Sequence, residues 1–147
     1  MPAQTCVYRA PMRSPRDDVD LEATIDRAKA LGLCGFGGAT SADDRLARRI
    51  ARFAEVDDGS FVWTRDTDGL YWLGRIGGQY FYDADDAAAA VDLVHVRPTR
   101  WLPEPLTEPE VPAAVVATFG RGGRNFQQTH DPHVGPQTRQ IWDARSG

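Results

Sequence analysis

Lysine is almost absent from this sequence of 147 residues: Lys29 stands alone beside 16 arginines. Cysteine is scarce as well. Cys6 and Cys34 are too few for a disulfide framework and lack the paired spacing of a zinc ligand set, so a reducing, cytoplasmic setting is expected. No apolar run approaches the roughly 18 residues that a membrane-spanning helix needs, and Met1-Pro2-Ala3-Gln4 opens no signal-peptide pattern. No membrane partner is therefore expected. A net charge of −4 argues against a protein that coats nucleic acid non-specifically, because phosphate binding requires a local excess of cations. It leaves room for a basic face. The lack of lysine also excludes a metal-dependent nuclease core of acidic strand residues followed by lysine, since Lys29 falls inside a helical pattern.

What is present suffices for a folded core: 41% hydrophobic residues and 14 glycines lie in the ordinary globular range, and the length predicts a single domain, 1–147. Its helical part covers residues 1–56 and its strand-rich part 60–130. Thr5 to Arg9 can form a short strand. Asp17 or Asp18 then caps a helix whose apolar residues Val19, Leu21, Ile25, Ala28 and Leu31 follow the 3.6-residue period, with Gly32 as its stop. Cys34-Gly35-Phe36-Gly37-Gly38 reads as a loop. Thr40 or Ser41 can cap a second helix, with Leu46, Ile50 and Phe53 on one face and Arg45, Arg48, Arg49 and Arg52 around the others.

From Ser60 the period becomes that of strands. Phe61 to Arg65 and Leu70 to Ile76, joined around Asp68-Gly69, read as a hairpin, with Gln79 to Tyr82 and Leu93 to Trp101 as further strands. Asp83 to Asp92 is a short helix or a loop, Pro103 to Pro112 a loop, and Val115 to Phe119 a strand or short helix. Arg124 to Thr129 is a closing strand; the tail to Ile141-Trp142 is unassigned. The fold class expected is α+β: a small, SH3-like β-barrel of about five to six strands with two N-terminal helices packed on it.

Catalytic motifs find little support. The Cys34–Gly38 run follows a helix rather than a strand and lacks the Lys-Ser/Thr of a nucleotide loop, so a helix–helix turn with Phe36 packed inward explains it. Cys34 as a nucleophile would need a base and a depressed pKa; a buried structural thiol is the simpler reading. In His130-Asp131-Pro132-His133 the proline prevents a regular helix and a third ligand would be remote. Asp83, Asp85 and Asp86 lack the glycine and terminal glutamate of a calcium loop. No catalytic residue, metal or cofactor is expected.

The strand half is dense in aromatics. Phe61, Trp63, Tyr71, Trp72, Tyr80, Phe81, Tyr82 and Trp101 can be core and strand-pair residues, or part of them can line a pocket where a base stacks, with Arg75, Arg97 and Arg100 for phosphates.

The run Tyr71-Trp72-Leu73-Gly74-Arg75-Ile76-Gly77-Gly78-Gln79-Tyr80-Phe81-Tyr82, followed by Val94-His95-Val96-Arg97-Pro98-Thr99-Arg100-Trp101-Leu102, resembles PUA-like and EVE-like reader domains, including those of Mrr/McrBC-type modification-dependent restriction systems. The resemblance spans residues 60 to 129. It implies a PUA-like barrel in bacterial defence that binds DNA or RNA and extrudes a modified base into an aromatic pocket. Carried onto this chain, the pocket residues would be Trp63, Tyr71, Trp72, Tyr80, Tyr82 and Trp101, and the phosphate contacts Arg75, Arg97, Arg100 and Arg124. His95 and Arg97 would be structural or backbone-contacting residues. The alternative is an accessory protein that contacts a protein partner through the Arg45–Arg52 helix and the Pro/Glu loop; a small enzyme using Cys34, or a metal on His130 and His133, is the weakest option.

Overall fold

A computed structural model describes residues 5–38 and 43–146. Short strands alternate with helices along the chain: β1 (Val7–Arg9), α1 (Leu21–Leu31), β2 (Leu33–Phe36), α2 (Asp44–Ala54), β3 (Phe61–Arg65), β4 (Tyr71–Ile76), β5 (Phe81–Tyr82), α3 (Asp86–Ala90), β6 (His95–Trp101), α4 (Ala113–Gly120), β7 (Gln127–Gln128) and α5 (Val134–Arg145). The strands form one mixed sheet, curled into a half-barrel, in the order β2-β6-β4-β3-β1-β7, with β5 also paired to β6. Among the described strands only β1 and β3 pair in parallel; the other pairs are antiparallel. No described helix is long and apolar enough to cross a membrane.

Local chemistry accounts for the helix ends. The Asp20 side chain, rather than that of Asp17 or Asp18, caps α1 by accepting from the Glu22 N–H, and Gly32 ends it in a left-handed conformation. Asp43 caps α2 in the same way, accepting from Arg45 N–H. The expected caps Thr40 and Ser41 lie outside the described residues.

Alternation along β3 builds two cores. Phe61 and Trp63 join Val7, Tyr71, Leu73, Val115, Val134 and Trp142 beneath α4 and α5, whereas Val62 joins Ile25, Phe36, Leu46, Phe53, Ile76 and Val96 with α1 and α2. Both faces of the sheet are therefore covered, which is why so many strand aromatics are needed as core.

This arrangement corrects two expectations and decides two that the sequence left open. Leu33–Phe36 is a strand, antiparallel to β6 with Phe36 opposite His95, not part of a helix–helix turn. Its glycine serves packing: a Cβ on Gly35 would lie 1.8 Å from the His95 carbonyl oxygen. Val115 to Phe119 is helical, and the unassigned tail is the helix α5. Helices α4 and α5 supply the cover for the second face that a barrel with two N-terminal helices would lack. The expected strand from Arg124 shrinks to Gln127–Gln128, paired with Tyr8 and Arg9.

Candidate nucleic-acid interface

Helix α2 buries Leu46 and Phe53 and thereby turns its arginines toward the segment that precedes and includes β7. Arg45, Arg48, Arg49 and Arg52 all line one cavity of about 630 Å³, whose far wall is Asn125 to Gln128 and whose apolar lining includes Tyr8, Phe36, Phe53 and Val56. The spacing i, i+3, i+4, i+7 places the four on one broad face of the helix. None of the four forms an ion pair with a described residue.

A second cavity, of about 780 Å³, adjoins the first and shares Phe36, Arg49 and Asn125 with it. Arg13, Ser14, Gly37, Gly38, Asp43, Asp92 and Arg124 complete much of its lining. Together the two form a groove with six arginines, at 13, 45, 48, 49, 52 and 124, against the three acids Asp43, Glu55 and Asp92. The acidic net charge of the chain thus conceals a basic face.

The corner at Asp92 is rigidly built. Its carboxylate accepts from the Ser14 hydroxyl and from the Gly38 N–H, the latter at 3.1 Å, and its backbone is left-handed with φ 51°. Gly37 packs so closely on it that a Cβ there would stand 2.1 Å from the Asp92 Cγ. Beneath the corner, buried His95 binds the Gly38 carbonyl through Nε2 at 2.9 Å and the Tyr80 hydroxyl through Nδ1 at 2.8 Å. Nε2 therefore carries the proton and Nδ1 accepts. Burial pushes the imidazole pKa down, and the Arg49 charge adds to this against the opposing Gly38 hydrogen bond and Asp92 charge.

Rings back both cavities in a continuous series. Tyr82 lies 5.6 Å from His95, His95 5.6 Å from Phe36, Phe36 5.2 Å from Phe53, Phe53 4.8 Å from Phe126, and Phe126 stacks on Tyr8 at 5.0 Å. The loop that carries Arg124, Asn125 and Phe126 is held by Arg9, which donates to the carbonyl oxygens of Thr118 and Gly122 at 2.8 Å and of Asn125 at 3.3 Å. Gly123, at φ +101°, passes so close that a Cβ there would stand 2.8 Å from the Arg9 guanidinium.

The residues singled out from the sequence are dispersed. Trp63 and Tyr71 are buried in the second core, where the Trp63 Nε1–H donates to Thr138. Trp72 donates to Asp66 and lies under Lys29, 3.6 Å from its ring centroid; Trp101 donates to the Leu33 carbonyl. Tyr80 and Tyr82 meet at His95, with Tyr82 47% exposed. Of the arginines, Arg97 is buried and binds the carbonyls of Gly78, Phe53 and Val56 as well as Asp58. Arg75 and Arg100 sit on the other face of the sheet over Trp142. Arg124 alone reaches the groove. The α2 arginines were legible by their spacing, but their shared cavity depends on a segment more than 70 residues away.

Other reactive groups lie elsewhere. Cys34 is buried, and burial pushes its thiol up to about 12 despite the Thr99 hydrogen bond and the Arg97 charge. His130 and His133 are exposed, and Asp131 between them accepts from the N–H of His133 and Val134 at the start of α5. Among the described residues no three His, Cys, Asp or Glu side chains stand together as a metal set.

The sequence matches no protein-family model and no curated protein. Its fold is similar to solved structures. The YTH domain of Zygosaccharomyces rouxii MRB1, determined with N6-methyladenosine RNA, superposes with a TM-score of 0.56 at 12% identity, over 99% of this chain and 87% of that one. The Pho92 YTH domain, determined with m6A, superposes with a TM-score of 0.54 at 10% identity, over 100% of this chain and 87% of that one. At such identities the likeness is one of fold.

Proposed function

We propose that this protein is a non-catalytic reader of a modified base in nucleic acid, and that the groove between α2 and residues 121–128 is its site. The observation that carries the reading is the convergence of every α2 arginine on one ring-backed cavity, beside a second cavity with a fixed polar corner. Phosphates would lie on Arg45, Arg48, Arg49, Arg52 and Arg124, and the base would enter beside Phe36, facing the Ser14–Asp92–Gly38 corner. Extrusion costs a few kcal/mol, which stacking and base-edge hydrogen bonds must offset.

The fold likeness to domains determined with N6-methyladenosine supports RNA as the first ligand to try. The PUA-like label and a link to modification-dependent restriction belong to the same proposal and rest on the resemblance of residues 60–129; the cytoplasmic setting proposed with them rests on the scarcity of cysteine. Within it, Tyr80 and Tyr82 support the site from behind through His95, and Arg124 contacts phosphate directly.

Anisotropy titration of labelled single-stranded RNA and DNA, each with N6-methyladenine, 5-methylcytosine or no modification, tests the reading at low salt. Preference for one modified strand by about tenfold, or about 1.4 kcal/mol, is expected. A folded protein that binds none of these strands would sink it, and stoichiometric capture of an acidic protein in their place would favour the accessory role.

A further inference from the structure

A second group of arginines lies where the groove cannot use it. Phe61 and Trp142, 5.7 Å apart in the second core, carry three guanidinium groups: Arg75 is 4.8 Å from the Phe61 centroid and 6.0 Å from that of Trp142, Arg100 is 5.4 Å from Trp142, and Arg139 is 5.7 Å from Phe61. Phe61 and its neighbour Val62 point to opposite faces of β3, and Val62 belongs with the groove-side core. The sheet therefore separates this cluster from the groove.

Its electrostatics are unbalanced. Arg75 and Arg100 are direct partners across β4 and β6, an arrangement that places like charges side by side. None of the three arginines forms an ion pair with a described residue. Each instead donates to a neutral oxygen: Arg75 to the Gly59 carbonyl at 3.0 Å, Arg100 to the Ser146 carbonyl at 3.3 Å, and Arg139 to the Thr5 hydroxyl at 3.1 Å. A guanidinium carries five N–H donors, so most remain for a ligand. Three planar cations fixed on two rings suit an oxyanion that accepts from several at once.

We propose that Arg75, Arg100 and Arg139 form a phosphate-binding site on the sheet face opposite the groove. Its ligand is a phosphate group, carried either by a nucleic-acid backbone or by a free phosphate ester. The site stands on its own geometry, whether or not the groove binds nucleic acid.

The test follows the Trp142 indole and arginine Nε–H signals by NMR while inorganic phosphate is added at constant ionic strength, with chloride as the control. Saturable shifts at Arg75, Arg100 and Trp142 are expected, weakened at least fivefold in Arg100→Gln and Arg139→Gln, two exposed positions where folding should survive. Arg48→Gln in the groove should leave them unchanged. Repeating the titration with unmodified single-stranded RNA on an Arg48→Gln/Arg52→Gln protein separates the sources: the same shifts identify a backbone phosphate, and their restriction to inorganic phosphate identifies a free ester. Shifts that chloride reproduces, or that both single substitutions leave intact, would overturn the proposal.

Discussion

The guanidinium of Arg49 lies 4.7 Å from the centroid of the Phe36 ring, and both residues line both cavities of the groove. Arg49 is thereby the partition between a cavity dominated by arginines and one with a polar corner. Its charge is shared with whatever occupies either side. Replacing it with methionine keeps apolar cover on Phe36 and removes the charge. The expected result is weaker nucleic-acid binding with a salt slope shallower by about 0.7 for a single strand, while folding stability changes by only about 0.5–1 kcal/mol. Titrations at several salt concentrations, with thermal unfolding beside them, check both halves.

Gly37→Ala should disturb the corner from within. The added Cβ would stand 2.1 Å from the Asp92 Cγ and 2.3 Å from its carbonyl oxygen, so the two segments must part. A loss of about 1–3 kcal/mol in urea unfolding is expected, together with reduced preference for the modified base.

His95 gives the fold a signed pH dependence. Burial lowers its pKa in the folded state, so the neutral ring contributes stability that is fully present above the ordinary histidine value of about 6.5. That contribution is lost as pH falls from about 6.5 toward the folded value, because the unfolded chain takes up the proton first. The slope from this one group cannot exceed about 1.4 kcal/mol per pH unit. Urea midpoints between about pH 7.5 and 5.5 should fall in the wild type and flatten in His95→Gln.

Two arginines that the sequence treats alike should behave oppositely. Arg97→Met removes the donor to the carbonyls of Val56 and Gly78, at about 1–3 kcal/mol for each one left unpaired, whereas the Phe53 carbonyl keeps the Val56 N–H. Arg100→Gln, at an exposed position, should change stability by only about 0.5 kcal/mol. Thermal melts of the pair compare the two directly.

Cys34 should resist thiol reagents in the native state. With its thiol pushed up to about 12 by burial, almost no thiolate exists at pH 8. Labelling should therefore proceed only through opening of the core and be far slower than in the urea-unfolded chain, which a comparison of the two rates reads out.

How far the sequence discloses this molecule depends on whether local or distant residues decide each element. Helix α1 and the β3–β4 hairpin were legible because their periods, the Gly32 stop and the Asp68-Gly69 turn act within a few residues. Strand β2 was not, because Gly35 and the Gly37 that follows the strand look like loop punctuation and make sense only once His95 and Asp92 lie against them. Helix α4 was ambiguous because Val115 and Val116 suit strands, and its eight residues take their place over the second core. The aromatic strands misdirect for a related reason: a sheet covered on both faces consumes Trp63 and Tyr71 as core. The groove itself joins β1, β2, α2 and the chain after α4, a constellation that no spacing announces.

The central claim is that the groove binds nucleic acid through the arginines of α2. It is tested most directly by titrating single-stranded RNA, with and without N6-methyladenosine, against the wild type and Arg48→Gln/Arg52→Gln at two salt concentrations. The account predicts salt-sensitive wild-type binding, favoured by modification, and a double variant that folds normally but binds at least tenfold more weakly with a shallower salt slope. Equal affinity and equal salt slope in the two proteins would contradict it.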